Sequence, residues 1–185
     1  MRKILLVFFL VGFSAAAQAQ LGVRAGFNSA NFSDADFDPK SGFHLGAYYT
    51  LGADFLSVEP GIQYSQKGYT GEEAGTGLEV KETLGYIDIP VLVRLKLLPS
   101  VNVFAGPQAS ILASSKYQKG DQTSDSSDAT KGYDIGGVFG AQVKLPLGFN
   151  VQASYDLGFT SLNYYNFDFK NQVFKISAGY TFGGK

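Results

Sequence analysis

The sequence predicts an all-β chain: an eight-stranded antiparallel up-and-down transmembrane β-barrel with short turns at one end and long loops at the other. Three observations carry that reading. From Leu21 onward, apolar residues occupy one parity of eight short segments, while Gly, polar and charged residues occupy the other. The connections alternate between tight turns and long polar stretches. An export signal precedes the whole pattern.

That signal comes first in the chain. Arg2 and Lys3 supply the positive charge, Ile4–Phe13 the apolar stretch, and Ala17-Gln18-Ala19 the small-x-small cleavage site. The apolar stretch is too short for the roughly 20 residues a membrane-spanning helix needs. The expected organisation is therefore a signal peptide over 1–19 and one barrel domain over 20–185. Without Arg2 and Lys3 the 15 basic residues become 13 against 16 acidic ones, a net charge of −3. This balance argues against nucleic acid as a partner. With no cysteine in the chain, thiol catalysis, zinc-thiolate sites and disulfides are excluded, so an exported protein must rely on its sheet and its burial.

Each strand follows from its alternation. Leu21–Asn28 sets Leu21, Val23, Ala25 and Phe27 against Gly22, Arg24, Gly26 and Asn28. Gly42–Leu51 sets Phe43, Leu45, Ala47 and Tyr49 against His44, Gly46 and Tyr48. Phe55–Ser65 opposes Val58, Pro60 and Ile62 to Glu59, Gly61 and Gln63. Leu84–Leu97 is the most regular, with Ile87, Ile89, Val91, Val93 and Leu95 facing away from Asp88, Arg94 and Lys96. Val101–Ser114, Asp134–Leu145, Phe149–Thr160 and Val173–Phe182 complete the set. Pro60, Pro90 and Pro107 fall inside strands, where each removes a ladder donor, so bulges are expected there.

Gly52-Ala53-Asp54, Pro99-Ser100 and Pro146-Leu147-Gly148 are the tight turns; Ser29–Ser41, Gln66–Thr83, Ser115–Tyr133 and Ser161–Gln172 are the long connections. In an outer-membrane barrel the turns are periplasmic and the loops extracellular. An even strand count then leaves both termini in the periplasm. The rival is a soluble lipocalin-like barrel with its apolar row inward. Charge placement favours the membrane: the polar rows hold Arg24, Glu59, Asp88, Arg94, Lys96, Asp134, Lys144, Asp156 and Lys175, which nearly cancel as a closed interior requires, and the apolar rows hold none. Phe43, Tyr64 and Phe159 at one end, and Phe55, Phe149 and Phe182 at the other, are placed like interfacial girdles.

Several stretches resemble a known group: Gly42-Phe43-His44-Leu45-Gly46, Glu59-Pro60 followed by Tyr64-Ser65-Gln66-Lys67-Gly68, Tyr86-Ile87-Asp88-Ile89-Pro90, Ala105-Gly106-Pro107, Asp134-Ile135-Gly136 and Gly158-Phe159-Thr160. In this order they are similar to the PorT-like, "porin family" outer-membrane β-barrel domain proteins of Gram-negative bacteria. The resemblance covers essentially the whole mature chain. It implies an outer-membrane barrel of about eight strands, usually without a defined activity. Two positions depart from the group. Ser154 stands where such proteins often carry an arginine, and the chain ends Phe182-Gly183-Gly184-Lys185 rather than on the aromatic.

For the candidate residues, Arg24, Glu59, Asp88, Arg94, Lys96, Asp134 and Asp156 form an expected interior polar network. Their ordinary role is a plug, because eight strands enclose a lumen only wide enough for side chains; the competing role is a polar path. Counting through the hairpin puts Glu59 opposite Leu92 and within diagonal reach of Arg94. His44, the single histidine, would need Ser41, Asp134 or Asp156 beside it for hydrolytic chemistry, and no motif fixes that geometry. The acidic stretch Asp34-Ala35-Asp36-Phe37-Asp38 lacks the glycine and the bidentate glutamate of a calcium loop, since Pro39 and Leu45 occupy those places. Tyr164, Tyr165, Phe167 and Phe169 either extend a hairpin or form a contact tip.

The expectation is thus a non-enzymatic protein of the cell outer membrane, with no cofactor and no metal. Its structural or recognition role would be carried by the loops. The alternative is a narrow passive channel for ions or very small solutes. Expected partners are outer-membrane lipid and lipopolysaccharide, the barrel-assembly machinery during insertion, and an extracellular ligand or secretion-system partner that the sequence does not name.

Overall fold

The computed structural model describes residues 20–32, 38–53, 55–72, 79–119, 122–125, 132–160, 162–164, 167–169, 171–183 of the chain. The export signal expected over 1–19 lies outside them, as do Tyr165 and most of the acidic stretch before Pro39. Among the described residues there are eleven strands: β1 (Gln20–Phe32), β2 (Asp38–Gly52), β3 (Leu56–Glu72), β4 (Glu79–Leu98), β5 (Val101–Lys119), β6 (Gln122–Asp125), β7 (Tyr133–Lys144), β8 (Phe149–Gly158), β9 (Leu162–Tyr164), β10 (Phe167–Phe169) and β11 (Asn171–Thr181). Eight of them form the wall in the order β1-β2-β3-β4-β5-β7-β8-β11. The β1–β11 pairing closes the ring, every neighbour antiparallel. The remaining three are annexes at the long-loop end: β6 folds back on the end of β5, and β9 pairs with β10 through Tyr164↔Phe167.

The barrel is inside-out relative to a water-soluble protein. Its outward row is apolar and open, as at Phe27 (77% exposed), Val91 (40%) and Ile176 (52%). Its inward row is polar and closed: Arg24, Glu59, Asp88, Arg94, Asp134, Asp156 and Lys175 are all buried. Among the described residues, Leu92, Phe104 and Val138 form a small buried apolar cluster. Such an arrangement is stable only where hydrocarbon covers the outside. Ring contacts mark both rims of that band, with Phe43 and Tyr64 centroids 5.8 Å apart towards the loops. Tyr180 lies 5.1 Å from both Phe149 and Phe182 towards the turns.

Two expectations need correction. Strands β3, β4 and β5 continue well past Ser65, Leu84 and Ser114, into stretches read as loop. Alternation fades there because both faces become polar once the wall leaves the lipid, although the hydrogen-bonded ladder runs on through Lys67↔Leu84 to Glu72↔Glu79. The bulges expected at Pro60, Pro90 and Pro107 are also absent. The β3–β4 register is the same at Pro60↔Val91 and at Gln63↔Asp88. Likewise Pro90↔Gln108 and Val93↔Ala105 share one register, and Pro107↔Gly137 lies in an unbroken run. The irregularities fall instead between Pro39 and His44, Gly85 and Tyr86, and Lys96 and Leu98. Long neighbouring ladders hold the register across each missing donor.

The turns are tight. Gly52 (φ +124) ends β2, and a single 3-10 turn, Pro146–Gly148, joins β7 to β8 with Leu147 and Gly148 both left-handed (φ 63 and 85). The side chain of Leu147 is consequently thrown outward, 78% exposed, beside the aromatic rim.

Candidate functional site: the interior polar network and the cavity below it

Inward-facing polar residues on neighbouring strands meet in tiers, because strand alternation returns every second side chain to the lumen. The lower tier is built on Glu59. Its Oε1 accepts from Arg24 Nη1 at 3.1 Å and from Arg94 Nη2 at 2.7 Å, and Arg94 Nη2 also donates to Gln152 Oε1 at 2.7 Å. Each guanidinium lies over an aromatic ring, Arg24 over Tyr48 at 4.2 Å and Arg94 over Phe104 at 4.4 Å. Such stacking eases burial of charge. Glu59 does stand opposite Leu92 in the β3–β4 register.

The middle tier is built on Asp88 and Asp156. Lys67 Nζ donates to Asp88 Oδ1 at 3.0 Å, and Lys175 Nζ lies 3.1 Å from Asp88 Oδ2 and 2.6 Å from Asp156 Oδ2. Ser110 adds a hydroxyl to Asp88 Oδ1 at 2.6 Å, and Gln108 donates to Asp156 Oδ2 at 3.3 Å. These partners come from β3, β4, β5, β8 and β11, so the tier crosses the lumen from wall to wall. Beside it lies a gap of about 10 Å³ between Lys67, Asp134 and Asp156, the size of a single water.

Towards the loops hydrogen bonds between uncharged groups surround His44, with Lys40, Glu82 and Asp134 the buried charged residues there. His44 is 1% exposed, with Nδ1 2.6 Å from Asn28 Oδ1 and Nε2 2.8 Å from Ser177 Oγ. Asn28 donates onward to Ser65 Oγ at 3.0 Å. Lys40 Nζ donates to the Glu82 carbonyl at 2.8 Å and to Thr83 Oγ1. Asp134 accepts from Asn171 Nδ2 at 2.9 Å and from the Thr160 amide at 3.3 Å.

Of the residues singled out in the sequence, Arg24, Glu59 and Arg94 come together, and Asp88 and Asp156 share Lys175. Asp134 sits apart near the loops, and Lys96 lies near the turns, half-buried. The hydrolase arrangement around His44 does not form: its ring is held by Asn28 and Ser177, while Ser41 is on the outward face. The sequence reading passed over Lys67, because strand three was ended at Ser65. It also left Lys175 in the polar row without a partner.

At the short-turn end the lumen opens into a cavity of about 690 Å³. Its roof is Glu59, Arg94 and Tyr48, and its walls include Thr50, Asn102, Gln142, Asn150 and Thr181. Lys96 and Lys144 stand lower down. Polar side chains tie the wall across strands: Asn102 Nδ2 donates to Gln142 Oε1 at 3.1 Å, and the Tyr48 hydroxyl joins Thr181 Oγ1 at 2.7 Å and Asn150 Nδ2 at 3.0 Å.

Solved structures with this architecture include Ail, the attachment invasion locus protein of Yersinia pestis, in complex with the heparin analogue sucrose octasulfate. It is 17% identical with a TM-score of 0.56, over 89% of this chain and 99% of that one. Neisserial surface protein A is 13% identical with a TM-score of 0.58, over 89% and 97%. Ail in a phospholipid bilayer nanodisc is 16% identical with a TM-score of 0.52, over 89% and 100%. At these identities the likeness is one of fold. No curated protein matches the chain. The model of the outer membrane protein beta-barrel domain matches residues 14–164, and the chain, whose wall closes as an apolar-girthed barrel, belongs to that family.

Proposed function

We propose that the protein is a non-enzymatic outer-membrane barrel that acts as an anchor and presents its long-loop end as a surface for recognition. In this reading 1–19 is an export signal, the short turns and both termini are periplasmic, and the long connections are extracellular. The observation that carries it is the middle tier, where Lys67, Lys175, Asp88 and Asp156 span the lumen in direct contact. A passage through the barrel would have to break buried ion pairs, and removing a partner from such a pair is costly. The finer likeness to PorT-like proteins rests on the sequence stretches alone.

The loops favour some partners over others. Asp34, Asp36 and Asp38 in the first connection and Glu72, Glu73 and Glu79 around the second make this end acidic. A sulfated glycan such as the one held by Ail would meet like charge here. Cationic surfaces, or divalent ions bridging to lipopolysaccharide phosphates, fit better. Tyr164, Tyr165, Phe167 and Phe169 would supply the apolar part of that contact.

The second reading, a narrow channel for ions or very small solutes, is favoured by the 690 Å³ cavity, which reaches into the lumen as far as Glu59 and Arg94. Single-channel recording on the folded mature chain in planar bilayers separates the two, with heat-shifted gel mobility certifying the barrel. Electrical silence from folded protein is the expected result. Steady openings would replace the anchor with a pore.

A further inference from the structure

The charges of the lumen are sorted along its axis. In the middle tier two carboxylates face two ammonium groups, Asp88 and Asp156 against Lys67 and Lys175. In the lower tier one carboxylate, Glu59, faces two guanidinium groups. Below it the cavity wall adds Lys96 and Lys144, and among the described lining residues Glu59 is the only acidic one. Stacking on Tyr48 and Phe104 accommodates the flat faces of the two arginines but leaves their edges. Nε and Nη1 of Arg94 and Nε and Nη2 of Arg24 are buried without a hydrogen-bond partner. The Arg94 side chain, 3% exposed, forms part of the cavity roof.

A buried guanidinium with unanswered N–H groups is costly, and a fixed positive charge in a cavity with low-dielectric walls concentrates anions. The walls also exclude some classes of ligand. Thr50, Asn102, Gln142 and Asn150 offer hydrogen bonds over more than half of the lining, which a purely apolar acyl chain would leave unanswered, although Leu145 and Phe149 also reach the cavity. The planar fork of an arginine matches the oxygens of a carboxylate or phosphate better than a spherical halide.

We propose that this cavity is a binding site for a small hydrophilic solute bearing a carboxylate or phosphate group. The oxyanion sits beneath Arg94, and Lys144 and Lys96 guide it in. The site depends on the orientation given above only for the compartment that supplies the ligand, the periplasm.

Backbone NMR of the protein in lipid nanodiscs tests it, with inorganic phosphate and citrate titrated separately at constant ionic strength set by sodium chloride. The expected result is saturable movement of the Thr50, Asn102, Gln142 and Asn150 amides while Lys40 and Glu82 stay still. Saturation by phosphate alone, or by citrate alone, names the headgroup. The Lys96→Gln/Lys144→Gln variant should still fold, since Lys144 is exposed and Lys96 half-buried. It should bind about tenfold or more weakly, the equivalent of some 1.4 kcal/mol. Movement that chloride reproduces, that never saturates, or that survives the double substitution overturns the site. Orientation is read separately, by labelling Ser100→Cys with an impermeant maleimide in intact cells. Labelling from outside would reverse the barrel and leave the anion result standing.

Discussion

Lys175 and Asp156 meet 2.6 Å apart inside the barrel, a diagonal contact two residues along β8 from Ser154, the direct register partner of Lys175. Strand β8 has no cation at Ser154, and the neighbouring β11 brings one to the same height. That ammonium also serves Asp88. Lys175→Met should therefore destabilise the barrel by roughly 3–5 kcal/mol, because Asp156 loses its cation. Adding Asp156→Asn to Lys175→Met should recover much of the loss. Urea unfolding in lipid vesicles measures both, and a double variant no better than the single one would show that Asp156 does not depend on Lys175.

Glu59 holds two arginines, so its energetics cannot be divided into independent pairs. Glu59→Gln combined with Arg94→Met should cost less than the two single changes added together, by about 0.5–3 kcal/mol. Additive single effects in the same unfolding assay would remove this contact from the interior network.

Val91 stands on the outward row opposite Pro60, where the wall is flanked by Val58, Ile62, Ile89 and Val93. Val91→Arg should cost about 2–4 kcal/mol in bilayers, as expected for a cation near the midplane of an outer-membrane barrel. A neutral outcome would place hydrocarbon elsewhere.

Gly22 lies directly across from Tyr48, and a methyl group added there would fall 2.2 Å from the ring carbon Cζ. The ring under Arg24 thus exists at the expense of a side chain on β1. Gly22→Ala should destabilise by about 1–3 kcal/mol and disturb Asn150 and Thr181, whose hydrogen bonds meet at the Tyr48 hydroxyl. Unchanged stability with unchanged amide shifts at those two residues would disprove the contact.

The wall was legible in the sequence because lipid enforces a simple rule on every second residue. The same rule stops at the lipid boundary, which is why Lys67 was missed: the strand that carries it continues into water, where both faces are polar. Counting residues along β3 and β4 sufficed to set Glu59 against Leu92. No counting along one hairpin could reveal that Arg24 reaches Glu59 across β2, which depends on the curvature of the wall, or that Lys175 reaches Asp88 from β11, which depends on closure of the ring. The prolines misled for a related reason. A missing donor considered within a single strand calls for a bulge, whereas a ladder anchored for many residues on either side tolerates it.

The single-residue dealing of apolar side chains has a consequence for how such a chain travels. Mean hydropathy over the full sequence is +0.01, and past Gln20 no run approaches the roughly 20 apolar residues that would lodge as a helix in the first bilayer it meets. Its greasiness exists only as a property of paired strands. Unpaired, the polypeptide is a polar thread that a bilayer has little to hold by; paired, it presents a girth that only lipid covers.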